Sequence, residues 1–296
     1  MAEQIKNIMK KAGIFSCCHP AHARFHYHVS PYHVLKINKC WPDGCVEFLW
    51  RCHLFDKGHK CPRKYKHVGR GCFSCKDYYE IKNQYTPSSR LDPAAFANFM
   101  RDLGEYEGWI EDLNDKTIRF SGIVESIRPH LIMIIDSRRK SLRMEEYFVS
   151  FPGGFIGRDF FADRLYMRIS GGFLNKTELA PGDEIECDAI FGGDRGRVIL
   201  RNPRRIELAG NGGRQALNPS RALVGRATGK IIEGSIERCG DCHYCTLVDI
   251  EDFRKQKTIS YRRFYCLRGI TDPEHCPVRL RLLPDDDQVK NTARRL

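Results

Sequence analysis

The chain has 296 residues, enough for two or three domains that each bury a core. Its formal net charge is +12 at pH 7, with 49 Lys and Arg against 37 Asp and Glu, which favours a polyanionic partner, most often nucleic acid. It contains no run of about 18 apolar residues and no apolar stretch before a cleavage site near its start, so we expect no membrane partner, no signal peptide and a cytoplasmic location.

The cysteines are concentrated at the two ends of the chain. Of 14, eight lie in residues 17–75, five lie in 239–276, and only Cys187 lies between. In a reducing compartment, clustered cysteines are more often metal ligands than disulfide partners. We therefore predict a metal-held region at each end and a middle region that folds without metal.

Residues 1–85 form a Cys/His-rich region with little regular periodicity. Zn²⁺ prefers four thiolate or imidazole ligands, and two cysteines in one tight turn can hold it from one side. A C-x8-C-x10-C-x2-C pattern of this kind is formed by Cys52, Cys61, Cys72 and Cys75. A second site can combine Cys40 and Cys45 with Cys17, Cys18, His19 or His22.

Residues 86–115 are predicted to be an acidic helical connector. Asp92 suits the N-cap and Pro93 the first helical position of a helix over 91–114. Apolar side chains follow at helical spacing: Phe96, Phe99, Met100 and Leu103. The acidic face of this helix is either solvated or a docking surface for a basic partner.

Residues 116–208 contain several short strands with Gly-rich turns between them. The predicted strands cover 119–127, 131–137, 145–151, 165–171, 179–191 and 198–208. A turn is predicted at Arg128–His130 and another at Pro181–Asp183. Many short strands without a long helix between them are typical of a small barrel or a sandwich.

Two motifs in this region resemble an OB-fold domain. The first is L-x-P-G-D-x-I, from Leu179 to Ile185, and the second is R-N-P-x-x-I, from Arg201 to Ile206. The resemblance covers residues 116–208, about a third of the chain, and implies a small β-barrel. The resulting fold class is mainly β (α+β), with an OB-like barrel flanked by zinc-ribbon-like, Cys-rich regions. An OB barrel binds single strands by stacking bases on aromatic rings and by pairing phosphates with Lys and Arg.

Basic and aromatic side chains of the middle region are the candidate nucleic-acid contacts. They are Arg138, Arg139, Lys140, Arg143, Arg158, Arg164, Arg168, Arg197, Arg201, Arg204, Arg205, Phe155 and Tyr166. The alternative is that the arginines only solvate the surface and that the aromatic side chains fill the barrel core, as we expect of Phe148.

The last part of the chain is predicted to be a linker at 209–226, a ribbon-like Cys-rich domain at 227–284 and a polar tail at 285–296. Its cysteines allow three interpretations. A zinc site would use Cys239, Cys242, Cys266 and Cys276. A 4Fe–4S cluster would use Cys239, Cys242, Cys245 and Cys276, because C-x2-C-x2-C with a later Cys-Pro resembles the ferredoxin ligand run. A C-x-x-C-H haem motif would be formed by Cys239, Cys242 and His243.

Common catalytic motifs are missing from the sequence. It has no P-loop, no G-x-S-x-G, no H-E-x-x-H and no zinc-deaminase pattern. We therefore predict a non-catalytic protein with structural zinc that binds single-stranded DNA or RNA, together with other subunits of a nucleoprotein complex. The alternatives are an iron–sulfur or haem redox protein and a protein-binding scaffold.

Overall fold

The computed structural model describes residues 4–11, 13–177, 179–209, 226–233, 239, 242, 244–254 and 258–277. The chain divides into two compact units. The N-terminal unit is Met9–Arg101, and the main unit joins Met1–Ile8 to Asp102–Leu296. The predicted polar tail and most of the predicted linker lie outside the described residues.

The described secondary structure is mainly β, as predicted. The strands are β1 (Gln4–Ile5), β2 (Phe15–Ser16), β3 (His28–Val29), β4 (Cys45–Cys52), β5 (Tyr78–Tyr85), β6 (Ser88–Ser89), β7 (Thr117–Ile123), β8 (Ser126–Ile135), β9 (Lys140–Phe151), β10 (Gly154–Ile156), β11 (Asp159–Phe161), β12 (Leu165–Ile169), β13 (Glu184–Asp194), β14 (Arg197–Ala209), β15 (Lys230–Ile231), β16 (Cys245–Asp252) and β17 (Ile259–Cys266). The α-helices are α1 (His53–Asp56), α2 (Pro93–Leu113) and α3 (Gly171–Thr177). None of the helices described here has the length and apolarity needed to span a lipid bilayer.

The N-terminal unit contains two small antiparallel sheets. One has the order β3-β2-β6, and the other pairs β4 with β5 from Cys45–Tyr85 to Cys52–Tyr78. Most side chains of β4 are at least partly exposed, so the strand lacks the alternation that would reveal it in the sequence. The core is small and aromatic: the Phe15 ring lies 5.4 Å from Trp41 and 5.8 Å from Phe96.

The predicted helix is confirmed as α2. Its N-cap is Asp92, whose Oδ1 accepts a hydrogen bond from the Ala95 backbone N–H at 2.8 Å. An N-cap side chain satisfies one of the backbone donors that a helix start leaves without a partner. Pro93 follows at the first helical position, where its missing N–H costs nothing.

The main unit is built on one sheet of twelve described strands. Their order is β1-β11-β10-β7-β13-β14-β12-β9-β8-β16-β17-β15. β12 runs parallel to β14, and β16 runs parallel to β8. Only Val124 and Glu125 separate β7 from β8, and no ladder joins these two strands directly within the described residues, so the hydrogen-bonded order is linear.

The core of the main unit comes from alternate residues of the central strands. Leu165, Met167 and Ile169 of β12 are buried, while the residues between them are half-exposed. Trp109 of α2 covers one part of this core, with ring centroids 5.9 Å from Phe161 and 5.3 Å from Phe191. Buried and half-exposed residues therefore alternate along β12 in the same way as apolar and polar residues alternate in its sequence.

Two local predictions in this unit are wrong. Arg128–His130 is not a turn but lies inside β8, and the break comes earlier, at Val124–Glu125. A register shift follows His130, and proline is tolerated in a strand next to such irregularities. Residues 171–177, whose first residue was placed in a strand, form α3. The turn at Pro181–Asp183 is confirmed, with Gly182 at φ +94°.

Cys187 is a core residue of the main unit. It lies on β13 opposite Phe120 of β7, it is fully buried, and burial raises its pKa to about 12. We expect Cys187→Ser to lower the free energy of unfolding by about 1–3 kcal/mol more than Cys187→Ala, because it buries a hydroxyl in an apolar setting. Urea unfolding of the full chain measures both variants. Equal stability of the Ser and Ala variants would mean that a water molecule can reach position 187 and hydrogen-bond to the hydroxyl.

Candidate nucleic-acid interface and cysteine clusters

Four cysteines of the N-terminal unit surround one cavity. Its volume is ≈ 380 Å³, and its lining includes all four members of the predicted set: Cys52, Cys61, Cys72 and Cys75. The Cys75 backbone N–H donates to the Cys72 carbonyl at 2.8 Å, which makes the tight turn that a C-x-x-C pair needs. The structure therefore brings these four residues to one place, although they span three separate segments.

The same cavity is wider than a metal coordination sphere. Among the described residues, no three cysteine Sγ atoms lie within 4.8 Å of one another. Four thiolates around Zn²⁺, at about 2.3 Å each, would lie closer together than this. Metal binding would therefore have to draw these cysteines closer together.

A second cysteine cluster is formed in the N-terminal unit by Cys17, Cys40 and Cys45. Cys17 and Cys40 are buried. Burial raises the pKa of Cys40, and the neighbouring thiols of Cys45 and Cys17 raise it further. Burial, followed by Cys17, likewise raises the pKa of Cys45. The Coulombic effects of Cys17 on Cys40 and Cys45, and of Cys45 on Cys40, indicate that the three thiols lie near one another, as the second predicted zinc site requires.

Histidines lie beside this second cluster. The His19 ring is 4.7 Å from the ring of Tyr85, whose backbone carbonyl accepts a hydrogen bond from the Cys45 thiol at 3.7 Å. His22 is buried, and its ring lies 4.8 Å from His33. Burial lowers the pKa of His33, with Lys10 and His19 contributing, so the neutral imidazole is favoured. Neutral imidazole is the form that binds metal.

The C-terminal cysteine cluster joins Cys239, Cys242, Cys245 and Cys266. Cys245 and Cys266 stand opposite each other on β16 and β17, and Cys239 and Cys242 pack against them. Two successive turns connect the first three, since the Cys242 N–H donates to Cys239 and the Cys245 N–H donates to Cys242. Burial, together with the neighbouring thiols, raises the pKa of Cys245.

This cluster differs from both predicted ligand sets. Cys276 follows the short 3₁₀ helix Pro273–His275 and is not among the residues of the cluster, which contains Cys245 and Cys266 instead. His243, the third residue of the haem motif, lies outside the described residues. The pairing of Cys245 with Cys266 depends on the register between β16 and β17, which cysteine spacing alone does not reveal.

A basic cavity of ≈ 140 Å³ lies where the middle strands meet the C-terminal hairpin. We call it the basic cavity, and its lining residues are Arg128, Phe148, Arg164, Tyr166, Arg197, Cys245, Thr246, Leu247 and Phe264. The Phe148 and Tyr166 rings meet edge to face at 6.2 Å. The Thr246 hydroxyl donates to the Pro129 carbonyl at 2.6 Å and ties β16 to β8 behind the cavity. Three guanidinium groups and three aromatic rings thus share one small space.

A carboxylate holds one of these arginines in place. The Arg164 guanidinium pairs with Glu125 at 2.6 Å, at the break between β7 and β8. A smaller adjoining hollow is lined by Phe148, Tyr166 and Arg197 together with Asp194 and Arg262. Fixed guanidinium groups lose less side-chain freedom when they bind an anion.

Three of the predicted nucleic-acid residues, Arg164, Tyr166 and Arg197, line the basic cavity. Others are exposed at turns: Arg138 and Arg139 lie between β8 and β9, Lys140 begins β9, and Arg158 lies between β10 and β11. Arg143 is exposed on β9, and Phe155 is exposed on β10 beside Phe160.

The other predicted arginines have carboxylate neighbours, and Arg204 is exposed on β14 opposite Asp188. Arg168 lies 3.6 Å from Glu146 and above the Phe148 ring. Arg201 pairs with Asp115, and Arg205 lies 3.3 Å from Asp188. These side chains are spread over several surfaces, so the structure gathers only part of the predicted set.

Three residues of the basic cavity were not among the predicted contacts. Arg128 is predicted to lie in a turn, and Phe264 belongs to the C-terminal hairpin. Phe148 is predicted to fill the core, and its exposure of 6% confirms this, although it also lines the cavity. They come together because β16 pairs with β8 in parallel from Val248–Leu131 to Asp252–Ile135. The basic charge of Arg128 was visible in the sequence, but no local signal places β16 beside it.

No protein-family model, no characterised protein and no solved structure matches this chain, so its function must be inferred from the chemistry of the site.

Proposed function

We propose that this protein binds single-stranded nucleic acid and holds a base in the basic cavity. The observation that carries the proposal is the meeting of Arg128, Arg164 and Arg197 with the rings of Phe148 and Tyr166 in ≈ 140 Å³. Aromatic faces stack on bases, and guanidinium groups pair with phosphates. Drug-sized ligands need cavities of about 300–1,000 Å³, so this one suits a single ring delivered by an extended strand.

We further propose that the middle strands form an OB-like barrel. The order β8-β9-β12-β14-β13-β7 would close on itself if β7 and β8 act as one strand that bends at Val124–Glu125. The parallel pairing of β12 with β14 and the position of α3 between β12 and β13 support this proposal. OB domains bind with the face of their second and third strands, which here are β9 and β12. Phe148 and Tyr166 lie on these strands.

The cysteine clusters are best explained as structural zinc sites. Cys52, Cys61, Cys72 and Cys75 surround one cavity, and Cys239, Cys242 and Cys266 pack around Cys245. Cys245 also lines the basic cavity, so a metal there would stiffen one of its walls. A pre-formed wall lowers the ordering cost of binding. Zinc in these sites would act on folding and would not take part in chemistry.

A salt titration of oligonucleotide binding tests the proposed function. Fluorescence anisotropy of the full chain with a labelled single strand should show affinity that falls as salt rises. Arg197→Ala should weaken binding about 5- to 30-fold and lower the salt slope by about one unit. Tyr166→Ala should weaken it about 5- to 150-fold with little change in slope, because stacking is worth about 1–3 kcal/mol.

Lys176→Ala is the matched control, because it removes one exposed positive charge from α3, away from the cavity lining. If Lys176→Ala weakened oligonucleotide binding as much as Arg197→Ala does, the effect of Arg197→Ala would come from the change in net charge alone. If only Arg204→Ala with Arg205→Ala weakened binding, the contact would lie on the last hairpin. Either outcome would refute binding in the basic cavity.

An iron–sulfur redox protein is the second candidate function. The observation in its favour is the gathering of Cys239, Cys242, Cys245 and Cys266, since four thiols can also hold a 4Fe–4S cluster. Elemental analysis and a visible absorption spectrum of anaerobically purified protein distinguish the iron–sulfur function from the nucleic-acid-binding function. A colourless protein with stoichiometric zinc supports the binding function, whereas a brown protein with stoichiometric iron supports the cluster.

A further inference from the structure

The strands β8 and β9 carry a group of nitrogen and oxygen donors that contains no cysteine. One ring nitrogen of His130 and one carboxylate oxygen from each of Glu145 and Glu146 lie within 4.8 Å of one another. In the part of the chain that the structure describes, no other group of three potential metal ligands comes this close. The three residues belong to the main unit and are separate from all the cysteine clusters.

A β-bulge explains how two consecutive glutamates reach the same histidine. His130 pairs with Glu146 and Leu131 pairs with Met144, so Glu145 is an extra residue without a partner on β8. In a regular strand, consecutive side chains point to opposite faces. A bulge places an additional residue opposite one partner and re-aims its side chain.

The histidine is oriented as metal-binding histidines are. His130 is 2% exposed, and its Nε2 lies 3.0 Å from Asp249 Oδ2. Its Nδ1 is buried and has no hydrogen-bond partner among the described residues. Metal-bound histidines characteristically donate their second ring N–H to a carboxylate, which leaves the first nitrogen for the metal. Arg262 holds Asp249 with two hydrogen bonds of 2.8 Å.

We propose that His130 Nδ1 and the carboxylates of Glu145 and Glu146 bind a divalent transition-metal ion. A buried ring nitrogen without a hydrogen-bond partner, in a histidine that lies beside two carboxylates, is unfavourable without a cation between these groups. An imidazole with two carboxylates suits Mn²⁺ or Zn²⁺, while Mg²⁺ and Ca²⁺ prefer oxygen ligands alone. The proposal does not depend on nucleic-acid binding.

The site is open to ions and has a competing cation beside it. Glu146 lines a surface cavity of ≈ 330 Å³ and Glu145 is exposed, so ions in solution can reach both carboxylates. Arg168 lines the same cavity, and its Nη1 lies 3.6 Å from Glu146 Oε1. Loss of this guanidinium should therefore strengthen metal binding.

Titration of the full chain with Mn²⁺ alone, followed by the EPR signal of the free ion, tests the site. Mn²⁺ prefers oxygen and imidazole donors, so the cysteine clusters contribute little to its uptake. We expect one Mn²⁺ per chain, at least about 10-fold weaker binding in Glu145→Gln, and tighter binding in Arg168→Gln. Glu145 is exposed, so its variant should remain folded.

Glu184→Gln is the control, because it removes an equally exposed strand carboxylate from β13. Its Mn²⁺ affinity should equal that of the unmodified protein. Unchanged affinity in Glu145→Gln, or no Mn²⁺ uptake by the unmodified chain, would overturn the proposal. His130→Asn should abolish uptake, with circular dichroism to verify that this buried substitution leaves the fold intact.

Discussion

Chelation of zinc is expected to unfold the N-terminal unit, Met9–Arg101, and to leave the main unit largely folded. The described core of the N-terminal unit is small and is centred on Phe15, Trp41 and Phe96. Structural zinc contributes about 10–16 kcal/mol in small zinc-binding peptides. That is as large as the stability of about 5–15 kcal/mol typical of a whole domain.

Limited proteolysis and far-UV circular dichroism, with zinc content measured on the same samples, follow this unfolding. We expect new cleavage sites within residues 53–77, where the cysteine-bearing loops lie between β4 and β5. The variant Cys72→Ser should reproduce the effect and lower the zinc content by one per chain. Cys187→Ala, in the core of the main unit, should leave the zinc content unchanged.

A unit that stays folded without zinc would contradict this expectation. It would mean that the ≈ 380 Å³ cavity between Cys52, Cys61, Cys72 and Cys75 is not a metal site. The thiols would then be ordinary free cysteines, and the aromatic core around Phe15 would be sufficient for folding.

The Arg262→Leu variant should lower the free energy of unfolding of the main unit by about 3–5 kcal/mol. The Arg262 side chain is 9% exposed, and its guanidinium lies 2.8 Å from Asp249 and 2.7 Å from Asp194. Burial acts to lower the pKa of Arg262, but the two carboxylates hold it above its ordinary value. Removing one partner of a buried ion pair leaves the other charge without compensation.

Arg119→Ala provides a matched comparison for this effect. Arg119 also donates hydrogen bonds to two carboxylates, those of Glu186 at 2.8 Å and Glu207 at 3.2 Å, but its side chain is 39% exposed and theirs are 48% and 73% exposed. Exposed ion pairs contribute little to stability, so this variant should be nearly as stable as the unmodified protein. Urea unfolding of both variants measures the difference. Equal losses would show that water reaches Arg262.

The proposed base-binding cavity and the proposed metal site share the same supporting contacts. Phe148 lines the basic cavity, and its ring lies 4.5 Å from that of His130. Arg262 lines the adjoining hollow and holds Asp249, which orients His130. Arg262→Leu should therefore weaken Mn²⁺ uptake as well as folding, whereas Arg119→Ala should change neither.

Local features of the chain were determined by the sequence. Asp92 and Pro93 mark the start of α2, and Gly182 marks the turn before β13, because caps and turns depend on a few adjacent residues. The alternation of apolar and polar side chains, which predicts the mainly β class, is likewise a pattern among adjacent residues. The C-x8-C-x10-C-x2-C pattern also anticipates four cysteines around one cavity.

Contacts between distant segments were decided only by the tertiary structure. His130 meets Asp249 across 119 positions of the chain, and Arg128 meets Phe264 because β16 pairs with β8. Cys245 faces Cys266 through strand register, which spacing alone does not encode. A strand's own residues show which side is apolar, but its neighbour is chosen by packing over the whole unit. The basic cavity and the His130 site both arise from that choice.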